Sequence, residues 1–152
     1  MTATTKEVMR ASRDGDTVPL PLVNTAATYK RGHFLSVDST GYGKAATDAA
    51  SEYFAGIAGQ EVTVASGGSA GDQKIEVIQK GLHLVTFTST LTQADNGKAA
   101  YVVDNNLMAR YAGSSNKLFG GVIKNVVSAS QAWVDIEPGI FGPRATLANG
   151  IS

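Results

Sequence analysis

The stretch GHFLSVDSTGYGKAATDAASEYFAGIAGQEV, residues 32–62, returns in outline as GKAAYVVDNNLMARYAGSSNKLFGGVIKNV, residues 97–126. Each begins with Gly, alternates apolar residues into Val-Asp, crosses small residues to Phe, and continues with Gly and a branched aliphatic. Gly32 and Gly97 stand 65 residues apart, as do Phe54 and Phe119, while Val37–Asp38 and Val103–Asp104 are 66 apart. An alternating strand follows in each half, Lys74-Ile75-Glu76-Val77 and Trp133-Val134-Asp135-Ile136. Period-two apolar patterning bounded by turn residues marks half-buried strands. The spacing predicts two copies of one small β unit, over residues 32–78 and 97–136. The fold class expected is mainly β: a small β-barrel or sandwich built from two similar β units, with an extended N-terminal arm and little helix.

Outward from the repeat, Leu82–Thr90, Ala99–Val103, Val122–Val127 and Ala132–Ile136 read as further strands. Glu61–Val64 and Lys74–Ile78 flank the glycine-rich Ala65–Gln73 and read as one hairpin. Ala45–Tyr53 is rich enough in alanine for a short helix ended by Gly56 and Gly59, but its counterpart, 109–117, contains Gly113-Ser114-Ser115-Asn116 and is poor helix material. The segment Val18-Pro19-Leu20-Pro21-Leu22-Val23 has two prolines that cannot donate to a ladder, which reads as an edge or extended segment. Residues 1–23 are therefore expected to be an arm, 24–137 the β domain and 138–152 a tail. The expected core is Phe34, Val37, Phe54, Ile57, Val62, Ile75, Val77, Tyr101, Val103, Phe119, Val122, Val134 and Ile136.

The chain has 13 Lys and Arg against 13 Asp and Glu, 43 % apolar residues and no cysteine. A neutral chain lacks the electrostatic footprint of a nucleic-acid or anionic-membrane binder, so neither is an expected partner. Without cysteine there is no disulfide framework and no thiolate metal site. No run of 18 apolar residues is present to span a bilayer. The first 16 residues lack the apolar core of a secretory leader, and a cytoplasmic product is expected.

Chemical motifs weigh little. Gly67-Gly68-Ser69-Ala70-Gly71 fits G-x-S-x-G, yet a strand rather than a helix follows it and His83 lies too near in sequence for a hydrolase triad. A flexible hairpin tip accounts for it. Gly41-Tyr42-Gly43-Lys44 lacks the spacing of a phosphate loop and reads as a β-turn. His33 and His83 form no metal-binding pair, and the carboxylates are scattered. Asp38 and Asp104 fall where strands turn, the place for side-chain bonds to the backbone. No catalytic, cofactor-binding or metal residue is assigned. Trp133, the sole tryptophan, reads as a core anchor first and an oligomer interface second.

Leu91-Thr92-Gln93-Ala94-Asp95-Asn96-Gly97-Lys98 followed by Ala100-Tyr101-Val102-Val103-Asp104 resembles the head decoration, or cement, proteins of tailed bacteriophages. So does Gly120-Gly121-Val122-Ile123 leading to Ala132-Trp133-Val134-Asp135-Ile136, and Ala55-Gly56-Ile57-Ala58 in the first half is similar to the same unit. The resemblance implies a non-enzymatic virion protein on the outer surface of the head, made in the host cytoplasm. It would bind the major capsid protein of the expanded shell and bridge neighbouring subunits. It also implies self-association, as a homotrimer or else a dimer. Contacts with the shell are expected at Val18, Leu20 and Leu22 of the arm, at Gly68 and Ser69 of the glycine-rich tip, and at Ile140 and Phe141. A tail-tube or head–tail connector subunit is the alternative, and a carbohydrate-binding or hydrolytic β domain stands behind it.

Overall fold

A computed structural model describes residues 17–141. The described chain is mainly β, with strands β1 (Thr17–Pro21), β2 (Ala27–Tyr29), β3 (Phe34–Val37), β4 (Gly43–Ala45), β5 (Tyr53–Ala58), β6 (Val62–Val64), β7 (Lys74–Ile78), β8 (Leu82–Phe87), β9 (Ala99–Val102), β10 (Leu107–Ala109), β11 (Phe119–Val126) and β12 (Gln131–Asp135). Three short 3-10 turns, at Gln93–Asp95, Tyr111–Gly113 and Glu137–Gly139, are the only helical pieces among the described residues. None is long and apolar enough to cross a membrane.

The repeat seen in the sequence extends over the whole of both halves. The first half is a five-stranded sheet in the order β1-β7-β5-β3-β4, and the second a closed barrel in the order β8-β12-β11-β9-β10. Pair by pair the registers coincide. Phe34↔Ile57 and Ser36↔Phe54 recur as Ala99↔Val122 and Tyr101↔Phe119. Ile57↔Ile78 and Ala58↔Val77 recur as Val122↔Asp135 and Ile123↔Val134. Leu20↔Ile75 and Pro19↔Glu76 recur as Val85↔Ala132 and Leu84↔Trp133. Even the closing contact is repeated: Leu22 bridges Gly43 in parallel, as Phe87 pairs with Met108. The Val23 N–H donates to the Gly43 carbonyl at 3.0 Å, and the Thr88 N–H to that of Met108 at 2.9 Å.

Residues 17–23 are thus not an arm but the first strand of the first unit. The two prolines fit there because alternation decides which way each N–H points. The Leu22 N–H bonds the Gln73 carbonyl at 2.9 Å on the β7 side, so Val18 and Leu20 also donate toward β7. Pro19 and Pro21 turn their missing donors to the opposite side, where the first unit closes on β4 by a single bridge. Residues 1–16 and 142–152, the rest of the expected arm and tail, lie outside the described residues.

Each unit encloses its own core. Leu20, Leu22, Leu35, Val37, Ala58, Ile75 and Val77 fill the first; the equivalent Val85, Phe87, Ala100, Val102, Ile123, Ala132 and Val134 belong to the second. Of the expected core, Val62, Val103, Phe119 and Val122 are only partly buried, and the others are buried. Phe34, Phe54 and Ile57 lie outside the core of the first unit, yet they are buried because they join the core cluster of the second. Their faces meet edge-on, with the Phe34 and Phe54 rings 6.0 Å apart.

Two local expectations change. β6 does not form a hairpin with β7 but pairs with β2, in the linker between β1 and β3. The β5–β7 connection, residues 59–73, is longer than the equivalent stretch 124–130, which holds the end of β11 and its turn into β12, and the extra chain is what supplies β6. In the second unit no such partner exists, and the equivalent linker coils into the Gln93–Asp95 turn, where the Thr92 N–H donates to the Asp95 carboxylate at 2.8 Å. Nor does Ala45–Tyr53 form a helix. Glu52 is buried there and accepts the Thr47 N–H at 3.1 Å, a bond that holds the segment in an irregular loop.

Both units bend at one residue. Gly56 has φ +134° and Gly121 φ +145°, and both lie at register shifts in the pairing. A Cβ at Gly56 would overlap the Ile78 carbonyl oxygen, and one at Gly121 the Asp135 carbonyl oxygen. Gly56→Ala and Gly121→Ala should each lose about 3 kcal/mol or more in chemical denaturation, from strain and overpacking together. Gly32→Ala, at a positive φ with no atom within 4 Å, should lose only about 1 kcal/mol. Equal losses at all three positions would refute the close-approach role.

Candidate interaction surface

The side chains that carry chemistry are engaged in holding loops. The His83 ring Nε2 lies 2.9 Å from the Lys80 carbonyl, and His33 Nδ1 accepts the Lys30 N–H at 3.4 Å. Asp104 accepts the Asn106 and Leu107 N–H groups, both at 2.8 Å, and Asp38 accepts the Thr40 N–H at 2.8 Å. Among the described residues no three His, Asp or Glu side chains gather to hold a metal. A depression of about 340 Å³ holds Asp95, Lys98, Arg110 and Tyr111. Its buried Asp95 carboxylate is paired within the chain, to Arg110 at 3.4 Å and Lys98 at 3.9 Å.

Equivalent loops of the two units meet at the junction. Asp48, after β4, accepts the Ser115 and Asn116 N–H groups, each at 2.8 Å, and its carbonyl accepts from the Asn116 amide at 2.6 Å. The Phe34 N–H bonds the Asn105 carbonyl and the Phe141 N–H the Phe54 carbonyl, both at 2.8 Å. These contacts tie the barrels by backbone as well as by apolar packing.

Just outside each barrel, one location carries opposite chemistry. In the first unit Glu52 accepts from Ser36 Oγ at 2.6 Å, Lys44 Nζ at 2.5 Å and Thr47 Oγ1 at 2.6 Å. In the second, the position equivalent to Glu52 is Lys117 and that of Ser36 is Tyr101. Lys117 Nζ sits 4.2 Å from the Tyr111 ring centroid, and the Tyr101 ring packs edge-on against Tyr111 at 5.8 Å. Burial, with Tyr111 adding to it, raises the Tyr101 phenol above its ordinary pKa.

The surface feature that stands apart is the outer face of the β8–β12 ribbon. Alternation sends Val85, Phe87, Ala132 and Val134 inward, which leaves Leu82, Leu84 and Thr86 outward beside Gln131, Trp133 and Asp135. Leu82 is 54 %, Leu84 47 % and Trp133 39 % exposed, and Leu84 lies directly opposite Trp133. Trp133 is therefore a surface residue, not the core anchor expected. At the same register in the first unit stand Thr17, Pro19 and Glu76. A polar face accompanies identical strand pairing in that unit, so the pairing does not require the apolar one.

The expected contact residues divide. Leu20 and Leu22 are buried in the first core, and Val18 packs against it; as part of β1 they do not offer themselves to a partner. Gly68 and Ser69 are exposed, although their loop is held, by Asn24 Nδ2 on the Gly68 carbonyl at 3.3 Å and by the Ser69 N–H on Asp72 at 2.8 Å. Phe141 is exposed, while Ile140 packs partly against the second core. Leu82, Leu84 and Trp133 were missed together as a patch. The signal was present in their parity relative to Val85, Phe87 and Val134. Comparison with known proteins found no matching family model, curated protein or solved structure. The candidate surface thus rests on its geometry.

The Glu52 cluster gives a pH dependence. Burial by itself raises the Glu52 pKa, but the hydrogen bonds from Lys44, Ser36 and Thr47 outweigh it and hold the carboxyl below its ordinary 4.5. Its folded pKa is depressed, so the stabilisation is present above the ordinary value and is lost as pH falls through the folded one. Tm should drop steeply below about pH 4.5. Glu52→Gln should cost about 2–3 kcal/mol at neutral pH and flatten that acid decline. An acid decline as steep in the variant as in the parent would remove Glu52 as its source.

Proposed function

We propose that this chain is a structural virion protein of a tailed bacteriophage, which binds the outer surface of the expanded head and stabilises it by bridging neighbouring major capsid subunits. The observation that carries the reading is the distribution of contact features over a duplicated frame. Gly68 and Ser69 are exposed in the loop before β7 of the first unit, and Phe141 is exposed beyond β12 of the second, its N–H on the Phe54 carbonyl. A bridging protein needs contact places on more than one side of a single body, and this body has them. The resemblance of Leu91–Asp104, Gly120–Ile123 and Ala132–Ile136 to head decoration proteins supports the same class. Those segments fall on the linker into β9 and on β9, β11 and β12.

In this role no reaction is catalysed and no cofactor is bound. Each contact is small, and many copies engaging neighbouring subunits together would resist outward pressure from a packaged genome by multivalency. The exposed backbone of the Gly67–Gly71 tip supplies hydrogen bonds to a shell loop, and Phe141 supplies an apolar contact. Residues 1–16 precede β1 and are free to be deleted without removing a strand of the first unit.

Quantitative mass spectrometry of purified particles should find one copy for every one to three major capsid subunits. A few copies to a few dozen per particle would replace this reading by a tail-tube or connector subunit, and complete absence would end the structural reading. In particles, deletion of residues 1–16 should weaken binding and leave the Tm of the isolated chain unchanged. Undiminished binding would remove the arm from the contact.

A further inference from the structure

We propose that the outer face of the β8–β12 ribbon is a self-association surface, on which two copies of this chain meet about a two-fold axis, Leu84 and Trp133 of each packing on the same two residues of the other. The inference goes beyond the capsid reading and does not depend on it.

The duplication provides the first argument. Two ribbons of identical register face outward, and one carries Thr17, Pro19 and Glu76 where the other carries Leu82, Leu84 and Trp133. Since the polar version folds, the apolar one answers to something outside the unit. Three large apolar side chains, each between 39 % and 54 % exposed, sit together because Leu84 is opposite Trp133 and Leu82 is one pair along.

Charge is the second. Of the six outward residues on these two strands only Asp135 is charged, and it pairs with Leu82 at one end of the ribbon. The centre, at Leu84 and Trp133, is neutral. A two-fold axis lying in the plane of the contact and running across the strands at that centre puts the Asp135 side chains of two copies at opposite ends, so no like charges are brought together. An antiparallel ribbon also has its own approximate two-fold axis perpendicular to the sheet. Rows on one copy can therefore lie on the same rows of another, as an isologous contact requires.

Area sets the strength. The exposed apolar parts amount to roughly 300 Å² per copy, the size of the largest patch on an ordinary monomer. Two such patches with the polar rim of Thr86, Gln131 and Asp135 come to about 1,000 Å² in total, near the least that a specific interface needs. An interface of that size belongs to the weak, transient end of specific contacts, so the dimer population depends on concentration.

The chain contains one tryptophan, so its fluorescence reports on the centre of this contact alone. Sedimentation of the purified full chain from about 1 to about 200 µM should show the mass rising from the 15.7 kDa monomer toward twice that value. The Trp133 emission should shift to shorter wavelength over the same range as the ring leaves water. Leu84→Glu should keep the chain monomeric throughout, with the emission constant and the melting curve unchanged. If Leu84→Glu fails to fold, the double change Leu82→Thr with Trp133→Glu, which installs the residues of the first unit, serves in its place by mass alone. A parent that stays monomeric at the highest concentration overturns the proposal. So does a trimer or open-ended series, or association that persists in these variants.

Discussion

Five short strands can enclose a core only if one of them turns sharply enough to pair on both sides of the bend. In this protein that turn is made by Gly56 in β5 and by Gly121 in β11, whose backbones pass against the carbonyls of Ile78 and Asp135. The register slips at the same point, between Leu35 and Ser36 on one side and between Phe119 and Gly121 on the other. Everything downstream inherits that bend. It sets where β7 and β12 lie, hence which residues of β1 and β8 face inward, hence which side chains are left on the outside. No side chain larger than hydrogen fits the approach, so the two glycines act as fixed points while most other positions differ between the units.

The interiors show how freely residues vary around those fixed points. Leu22, Leu35, Ala58 and Ile75 of the first core are matched by Phe87, Ala100, Ile123 and Ala132 of the second. Two positions grow and two shrink, which keeps the enclosed volume roughly constant, the condition under which hydrophobic cores accept exchange. Outside the barrels the constraint is weaker still. Glu52 with its three donors and Lys117 over Tyr111 occupy equivalent places, and either arrangement secures the loop that follows β4 or β10. Loop length then decides local structure: the longer 59–73 connection supplies β6 and makes a strand of 27–29, while the shorter 124–130 leaves the matching linker to close on itself.

Much of this was legible in the sequence because the bend and the turns are written in glycine, aspartate and phenylalanine at fixed intervals. The Val-Asp match was one residue out. Val37 aligns in register with Val102, and the turn aspartates sit one position apart because Asp38 caps a turn through Thr40, whereas Asp104 caps one through Asn106 and Leu107. The first strand was misread for a reason internal to sheets. A proline is harmless where its nitrogen faces away from the ladder, and that direction depends on pairing partners more than 50 residues away, Glu76 against Pro19 in the middle of the strand and Ile75 against Leu20 beside it. No local pattern reports it. The placement of Phe34 and Phe54 hid similarly. They belong to the outside of one barrel and the interior cluster of the other, and only the docking of two units makes them core.

Trp133 makes the converse point. Its neighbours Ala132 and Val134 are both buried, so strict alternation already assigned it to the opposite face; reading it as core gave weight to residue type over parity. Once two units share a register, the comparison between them separates what the fold requires from what it permits. The glycine bend and the inward positions remain apolar or small in both. The outward positions on β1 and β7 are polar or proline except Ile78, which packs against the core of the second unit, whereas those on β8 and β12 include three large exposed hydrophobes. Exposed leucine and tryptophan opposite one another lower solubility and contribute nothing to closure of the barrel. A duplicated fold that carries this cost in only one of its halves points to a contact made by that half alone, and the asymmetry is itself the strongest structural reason to look for a partner on the second barrel.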